Sequence, residues 1–306
     1  MSIVENFKIK WTKLHDYCTS GYKVTGRNLK VLAGDTKKLG FAGVVKAIYE
    51  DLIVGRSSLE WAYLIIMSIV PIIVALRDPD STLLGFIASI TGVINVILVA
   101  EGRKSNYFFG VITTSIYLFL AIGNGFYGEV LTNAYFVVMQ PIGLYVWLMA
   151  DRKRREQTHQ VEDTPTNVKS RRMSLVDWII ALAQTAIVWL LMGLAYKSIG
   201  ANRPFRDSVT DGTNVVGQKL MTELYAEQWL FWIATNLFSI YLWWGTDGSV
   251  DIVVMYLLFT VNSIVGMYRW IQQAQANQYG GTACLNLRTL KPKSTIMRLR
   301  PARKNF

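Results

Sequence analysis

The residues best suited to recognise a ligand lie in one ten-residue stretch, Glu227 to Asn236, where an apolar span begins. On an α-helix Trp229, Trp232 and Asn236 fall at i, i+3 and i+7, which puts two indoles and one amide on a single face. A helix that only sits in lipid would carry Leu or Ile there. Two flat aromatic surfaces one turn apart, with an amide a further turn along, suit a flat heterocycle with a polar edge. Base–aromatic stacking is worth about 1–3 kcal/mol per ring. Two such surfaces and an amide bond or two could supply micromolar binding, about −8 kcal/mol, without any charge. Trp229 alone has a second reading, because a Trp at the end of a span is by default an interfacial anchor. Trp232 is a turn deeper and in register with Asn236. Trp147 and Trp270 also end spans, and for them the interfacial-belt reading is kept.

The elements that must hold this face are membrane helices. The chain has 306 residues, 52% of them hydrophobic, with a mean hydropathy of +0.27. Apolar segments of roughly 20 residues, long enough for a ~30 Å hydrocarbon core, recur between Trp61 and Trp270. The net charge is +11, and most of the Lys and Arg cluster in the first 58 residues, the 151–172 loop and the tail after Trp270. Basic clusters beside spans set orientation or touch anionic lipid, so no nucleic-acid partner is expected. Cys18 and Cys284 lie in the basic termini, where no disulfide is expected. His15 and His159 have no Cys or carboxylate cluster beside them, so no metal site and no cofactor are expected. No N-terminal signal peptide is visible ahead of the polar leader.

The spans are read at about 59–76, 82–100, 107–122, 130–150, 175–196, 229–245 and 250–270, with the polar stretch 208–224 as the doubtful eighth. Residues 1–58 form a basic leader in which Thr36–Val54 reads either as an interfacial amphipathic helix or as a loosely ordered segment. Asp78 to Ser81 is read as a turn, and the polar linker up to Arg172 as flexible. Eight spans and a cytoplasmic N-terminus leave only Arg77, Lys197, Arg203 and Arg206 in outside loops. Seven spans would put the basic tail, from Arg288 to Lys304, outside.

An internal repeat supports the same count. Tyr107 to Gly110, a short apolar span, a Gly-rich turn and a span ending in Gly143 and Trp147 are echoed by Trp229 to Trp232, a span, a turn and a span ending in Gly266 and Trp270. The offset stays within a residue of 122, and it lays the span at 82–100 over the polar stretch, predicting a helix there. The fold class expected is all-α and polytopic, with eight transmembrane helices. Two parallel three-helix repeats, at about 81–150 and 207–270, are joined by a linker helix at about 175–196 and preceded by one extra N-terminal helix. The transporter-like region is 59–270 and the basic tail 271–306.

Little else in the chain could do chemistry. Gly212 to Lys219 has the glycine spacing of a phosphate-binding loop, but Gln218 intervenes, Leu220 follows the Lys and an apolar helix precedes it. The spans contain no nucleophile motif and no paired carboxylates, so no enzyme is expected. Ionisable groups at mid-membrane usually mark ion relays. Only the polar span carries them, Asp211 and Lys219 near opposite ends, which favours passive over coupled transport. Gln140, Asn236 and Asn262 sit mid-span, where interhelical hydrogen bonding worth about 1 kcal/mol is the competing reading.

Several spaced motifs occur together in order: Trp229, Trp232 and Asn236; Gln140, Pro141, Gly143 and Trp147; Asn106, Tyr107 and Gly110; and Asn262, Ser263, Gly266 and Trp270. From about Ser81 to Trp270 the chain thereby resembles the PnuC family of vitamin transporters. The resemblance implies a SWEET-like fold and a homotrimer. It also implies uptake of nicotinamide riboside by facilitated diffusion across the inner (cytoplasmic) membrane, with trapping by a cytoplasmic ribosylnicotinamide kinase. Both termini would then be cytoplasmic. Carried over residue by residue, the substrate-binding set is Gln140, Trp229, Trp232 and Asn236, with Asn106, Tyr107 and Asn262 as a candidate substrate pathway. Similar family members carry other nucleosides or riboflavin, so a thymidine-like or riboflavin substrate is the alternative. A membrane receptor that binds without transporting is the rival from another class.

Overall fold

The computed structural model describes residues 3–77, 82–158, 168–244 and 250–278. Among them are ten helices: α1 (Ile3–Ile53), α2 (Ser58–Arg77), α3 (Leu83–Glu101), α4 (Asn106–Gly123), α5 (Tyr127–Thr158), α6 (Leu175–Ser198), α7 (Pro204–Asp207), α8 (Val209–Thr222), α9 (Gln228–Trp243) and α10 (Val250–Gln278). Six of these, α2 to α6 and α10, are long and apolar enough to cross a membrane. At 1.5 Å per residue, α8 and α9 are only about 21 and 24 Å long. The turn read at 78–81, the second connecting turn at 245–249 and the tail beyond 278 lie outside the described residues.

The leader is helical far beyond the stretch read as amphipathic. In α1, Gly40 has φ 66 and ψ 176, a conformation open essentially to glycine, and it breaks the helix. The part after the break is tied down by charge. Arg103 donates from Nη1 to the carbonyls of Asp51 and Val54, and Ser105 donates its backbone N–H to the Asp51 carboxylate at 2.7 Å. Glu101 is held between Arg56 (2.6 Å) and Arg103 (2.8 Å), with all three side chains nearly inaccessible. Removing one partner from such a set leaves a buried charge uncompensated, which costs about 3–5 kcal/mol.

The helices after α1 form two groups. In one, α4 packs on α3 and α5; in the other, α9 packs on α8 and α10. The groups meet where α3 packs on α10 and α5 on α8, while α6 lies against α7 and α8 and α2 against α3 and α10. Matching bonds recur in both groups. Thr113 donates to Thr91 at 2.8 Å between α4 and α3, and Thr235 donates to Thr213 at 2.7 Å between α9 and α8. Trp147 on α5 donates its indole N–H to the Met221 carbonyl at 3.1 Å, and Trp270 on α10 donates to the Val99 carbonyl at 3.0 Å. Each indole thus reaches across to the other group.

Trp147 and Trp270 are fully buried and 5.8 Å apart. The interfacial-belt reading of these two residues is therefore corrected: their indoles are buried side by side between the two groups, because each N–H finds a carbonyl at a neighbouring helix end. The linker needs a similar correction where it is described. Val168 and Ser170 are buried; Val168 donates its N–H to the Gly102 carbonyl, and Ser170 donates its hydroxyl to the Trp270 carbonyl. Arg171 takes up the Leu224 carbonyl and the Ala226 N–H through its own backbone. A short extended strap, 168–171, thus binds the turns after both α3 and α8.

Candidate functional site

The Trp-Trp-Asn face forms as its spacing predicts, but its members meet different surroundings. Trp229 is 2% exposed. Its ring lies against the α-carbon of Gly266 on α10, where even a β-carbon would overlap the indole. It also packs edge-on against Trp270 at 6.1 Å, and its own N–H has no protein acceptor. Trp232 is only partly buried. One side of it rests on Gly217 of α8, where an added β-carbon would come within 3.3 Å of the ring. Phe136 of α5 approaches at 6.3 Å, and Gln228, one turn earlier, accepts its N–H at 3.1 Å. Trp232 is therefore the indole with ring surface to offer, and Trp229 the one locked into packing.

Asn236 is buried, and its amide N–H reaches the Ser263 hydroxyl only at a long 3.4 Å. Gln140 is 3% exposed, its Oε1 has no protein donor, and it fills the space left by Gly110, where a β-carbon would stand 2.6 Å from that oxygen. Tyr107 lies under Gly143 and edge-on to Trp147 at 5.0 Å, and its hydroxyl faces that of Thr222 without closing a hydrogen bond. Asn106 is fully buried, donating to the Arg103 carbonyl at 2.6 Å with its own oxygen unpaired.

Asn262 stands apart from this set. It donates to the Val96 carbonyl at 3.0 Å and accepts from the Tyr63 hydroxyl at 3.0 Å, so both ends of its amide are engaged in joining α2, α3 and α10. Glu227 acts beside the site, accepting from Arg172 at 2.6 Å and from the Met173 N–H at 3.0 Å, which anchors the start of α9 to the linker. In the same turn, burial pushes the Tyr225 phenol up to about 12, against the opposing pull of the Arg171 guanidinium 3.8 Å over its ring.

Buried polar groups are ordinarily paired, so each unpaired one calls for an explanation. The uncharged side chains with an unpaired buried atom include Gln140, Gln218, Gln228, Trp229, Asn106 and Tyr107. Gln228 could have been found from its i, i+4 spacing to Trp232. Phe136 and Gly217 carry no signal in the sequence, because they belong to other helices. Among the described residues no group of His, Cys, Asp and Glu could hold a metal ion.

Residues 82–272 match the family model described as nicotinamide mononucleotide transporter. The nicotinamide riboside transporter PnuC of Haemophilus influenzae is 32% identical over 222 residues, covering 72% of this chain and 93% of the relative. That of Neisseria mucosa is 29% identical over 228 residues, covering 72% and 83%. The crystal structure of the vitamin B3 transporter PnuC superposes with a TM-score of 0.61 at 28% identity, covering 74% of this chain and 97% of that one. With six helices able to cross a membrane, this is a multi-pass membrane protein. On the extent of the model match and the identity to its relatives, the chain belongs to the nicotinamide mononucleotide transporter family.

Proposed function

We propose that this chain carries nicotinamide riboside into the cell by facilitated diffusion, and that a cytoplasmic ribosylnicotinamide kinase retains the product. The observation that carries this reading is the partly buried Trp232 ring, backed by Gly217 and Phe136, with Asn236 one turn on along α9 and Gln140 one turn beyond Phe136 on α5. A pyridinium ring stacks well on indole, with a cation–π gain of about 0.5–2 kcal/mol. The neutral lining favours the riboside over the mononucleotide, since a buried phosphate needs charged partners. The basic group of α8, Lys219, is instead paired with Glu223 at 3.4 Å.

The proposed architecture has eight spans: the six long apolar helices, α8 led in by α7, and α9. From Pro204 to Thr222 the combined length is about 28 Å, near the ~30 Å required. Two parallel three-helix repeats, α3–α5 and α8–α10, are joined by α6 and preceded by α2. The paired threonine and indole bonds, each displaced by 122 or 123 positions, support this symmetry, which gives an alternating-access route. The leader (1–58) and tail (271–306) are placed in the cytoplasm and the protein in the inner membrane, on the loop-charge argument. A homotrimer follows from the family resemblance.

Purified protein in liposomes is expected to equilibrate labelled nicotinamide riboside to equal concentrations inside and out, at a rate independent of a proton gradient. Accumulation above the outside level without kinase would overturn the uniport mechanism, and saturable binding without flux would turn the reading to a receptor. Thymidine and riboflavin as competitors test the alternative substrates.

A further inference from the structure

The α5–α8 seam contains a second amide that the Trp-Trp-Asn motif does not include. Along this seam Thr132 donates to Asp211 at 2.8 Å, Tyr135 donates to the Val215 carbonyl at 2.9 Å, and Trp147 donates to the Met221 carbonyl at 3.1 Å. The two helices therefore run side by side in the same direction. The stretch of α8 between Val215 and Met221 lies along the stretch of α5 between Tyr135 and Trp147, which carries Gln140. On α8, residues 211, 215, 218 and 222 form one stripe at i, i+4, i+7 and i+11. Asp211 and Val215 of this stripe meet α5, and Thr222 faces Tyr107. Gln218 sits between them, within the part of the seam that also carries Gln140.

Gln218 is 4% exposed, and its Nε2 has no protein acceptor. Gln140 is 3% exposed, and its Oε1 has no protein donor. An unpaired donor and an unpaired acceptor in one part of a seam match the two ends of a primary carboxamide. The residue before Gln218 is Gly217, on which the Trp232 ring rests. The same stretch of α8 therefore bears on both the aromatic surface and the amide pair.

We propose that Gln218 is a specificity-determining residue of the substrate site. Its Nε2–H donates to the carbonyl oxygen of a ring-borne primary carboxamide, whose NH₂ donates to Gln140 Oε1. This inference rests on the proposed transport of a nicotinamide riboside and deepens it. A buried site that hydrogen-bonds a substrate group rejects the analogue lacking it, because its own polar atoms are then left unpaired.

The test uses the full-length protein in detergent, with binding measured by calorimetry for nicotinamide riboside and for the pyridinium riboside that lacks the carboxamide. Gln218→Leu is expected to weaken the first ligand about 10- to 100-fold and to leave the second within about twofold, so that discrimination collapses. Gln218→Met, which keeps the length and the neutral charge and loses the donor, is expected to do the same and stands in if the Leu variant melts early. Unchanged affinity for nicotinamide riboside in both variants overturns the proposal, as does an equal loss for both ligands, which marks a packing role. If the unmodified protein fails to bind nicotinamide riboside, the functional reading itself falls, and that result is separate from any effect of the variants.

Discussion

The α3–α5 and α8–α10 groups share a frame and differ in what they place inside it. Both have a Thr–Thr bond between their first and second helices, an aromatic ring seated on a glycine of the third, and an indole reaching across to the other group. The contrast comes one turn further along the middle helix. On α4 that position is Gly110, and Gln140 of α5 fills the space. On α9 it is Trp232, and the facing helix there carries the small Ser263 beside Asn236. Large and small have changed places between the halves. Matching positions of the two groups thus carry an indole in one and an amide in the other, the asymmetry on which the proposed substrate site rests.

The strongest way to break this comparison is to attack the shared frame. Gly266→Ala and Gly143→Ala each drive a β-carbon into a rigid ring, Trp229 or Tyr107, and each is expected to destabilise by about 1–3 kcal/mol. Thermal unfolding in detergent should show similar losses for both. A loss at only one of them would break the equivalence of the halves. Next in size, Trp232→Ala should cost about 1–3 kcal/mol of ligand binding with little change in melting, whereas Trp229→Ala should lower melting first. Equal behaviour of the two would merge the platform with the frame. The smallest effect is expected from Thr113→Val and Thr235→Val, at about 0.6 kcal/mol each, the average for a side-chain hydrogen bond in a membrane bundle. A clear inequality between them would show that the two Thr–Thr bonds are not equivalent.

Much of the frame could be read before any coordinates. The offset near 122 predicted a helix over a polar stretch that hydropathy leaves as a loop, and α8 lies there. Spacing likewise put Trp229, Trp232 and Asn236 on one face. The roles of the tryptophans could not be read in the same way. Trp147 and Trp270 end spans as belt residues do, yet both are fully buried, each donating to a carbonyl 74 or 171 positions away. Asn262 shared a motif with site-like residues but is used up by Tyr63 and Val96. The strap at 168–171 is polar in composition and buried in place.

The Trp-Trp-Asn residues do share one face of α9, and they meet different neighbours there. The sequence by itself determined the class, the helices, the repeat and the azimuth of each side chain about its own helix axis, because these follow from periodicity along the chain. Only the tertiary structure decided which indole is locked into packing and which keeps ring surface open, and that Trp147 and Trp270 are buried against each other. Those outcomes depend on which helix stands opposite, at what height, and with a glycine or a large side chain at the contact, none of which is encoded within one helix.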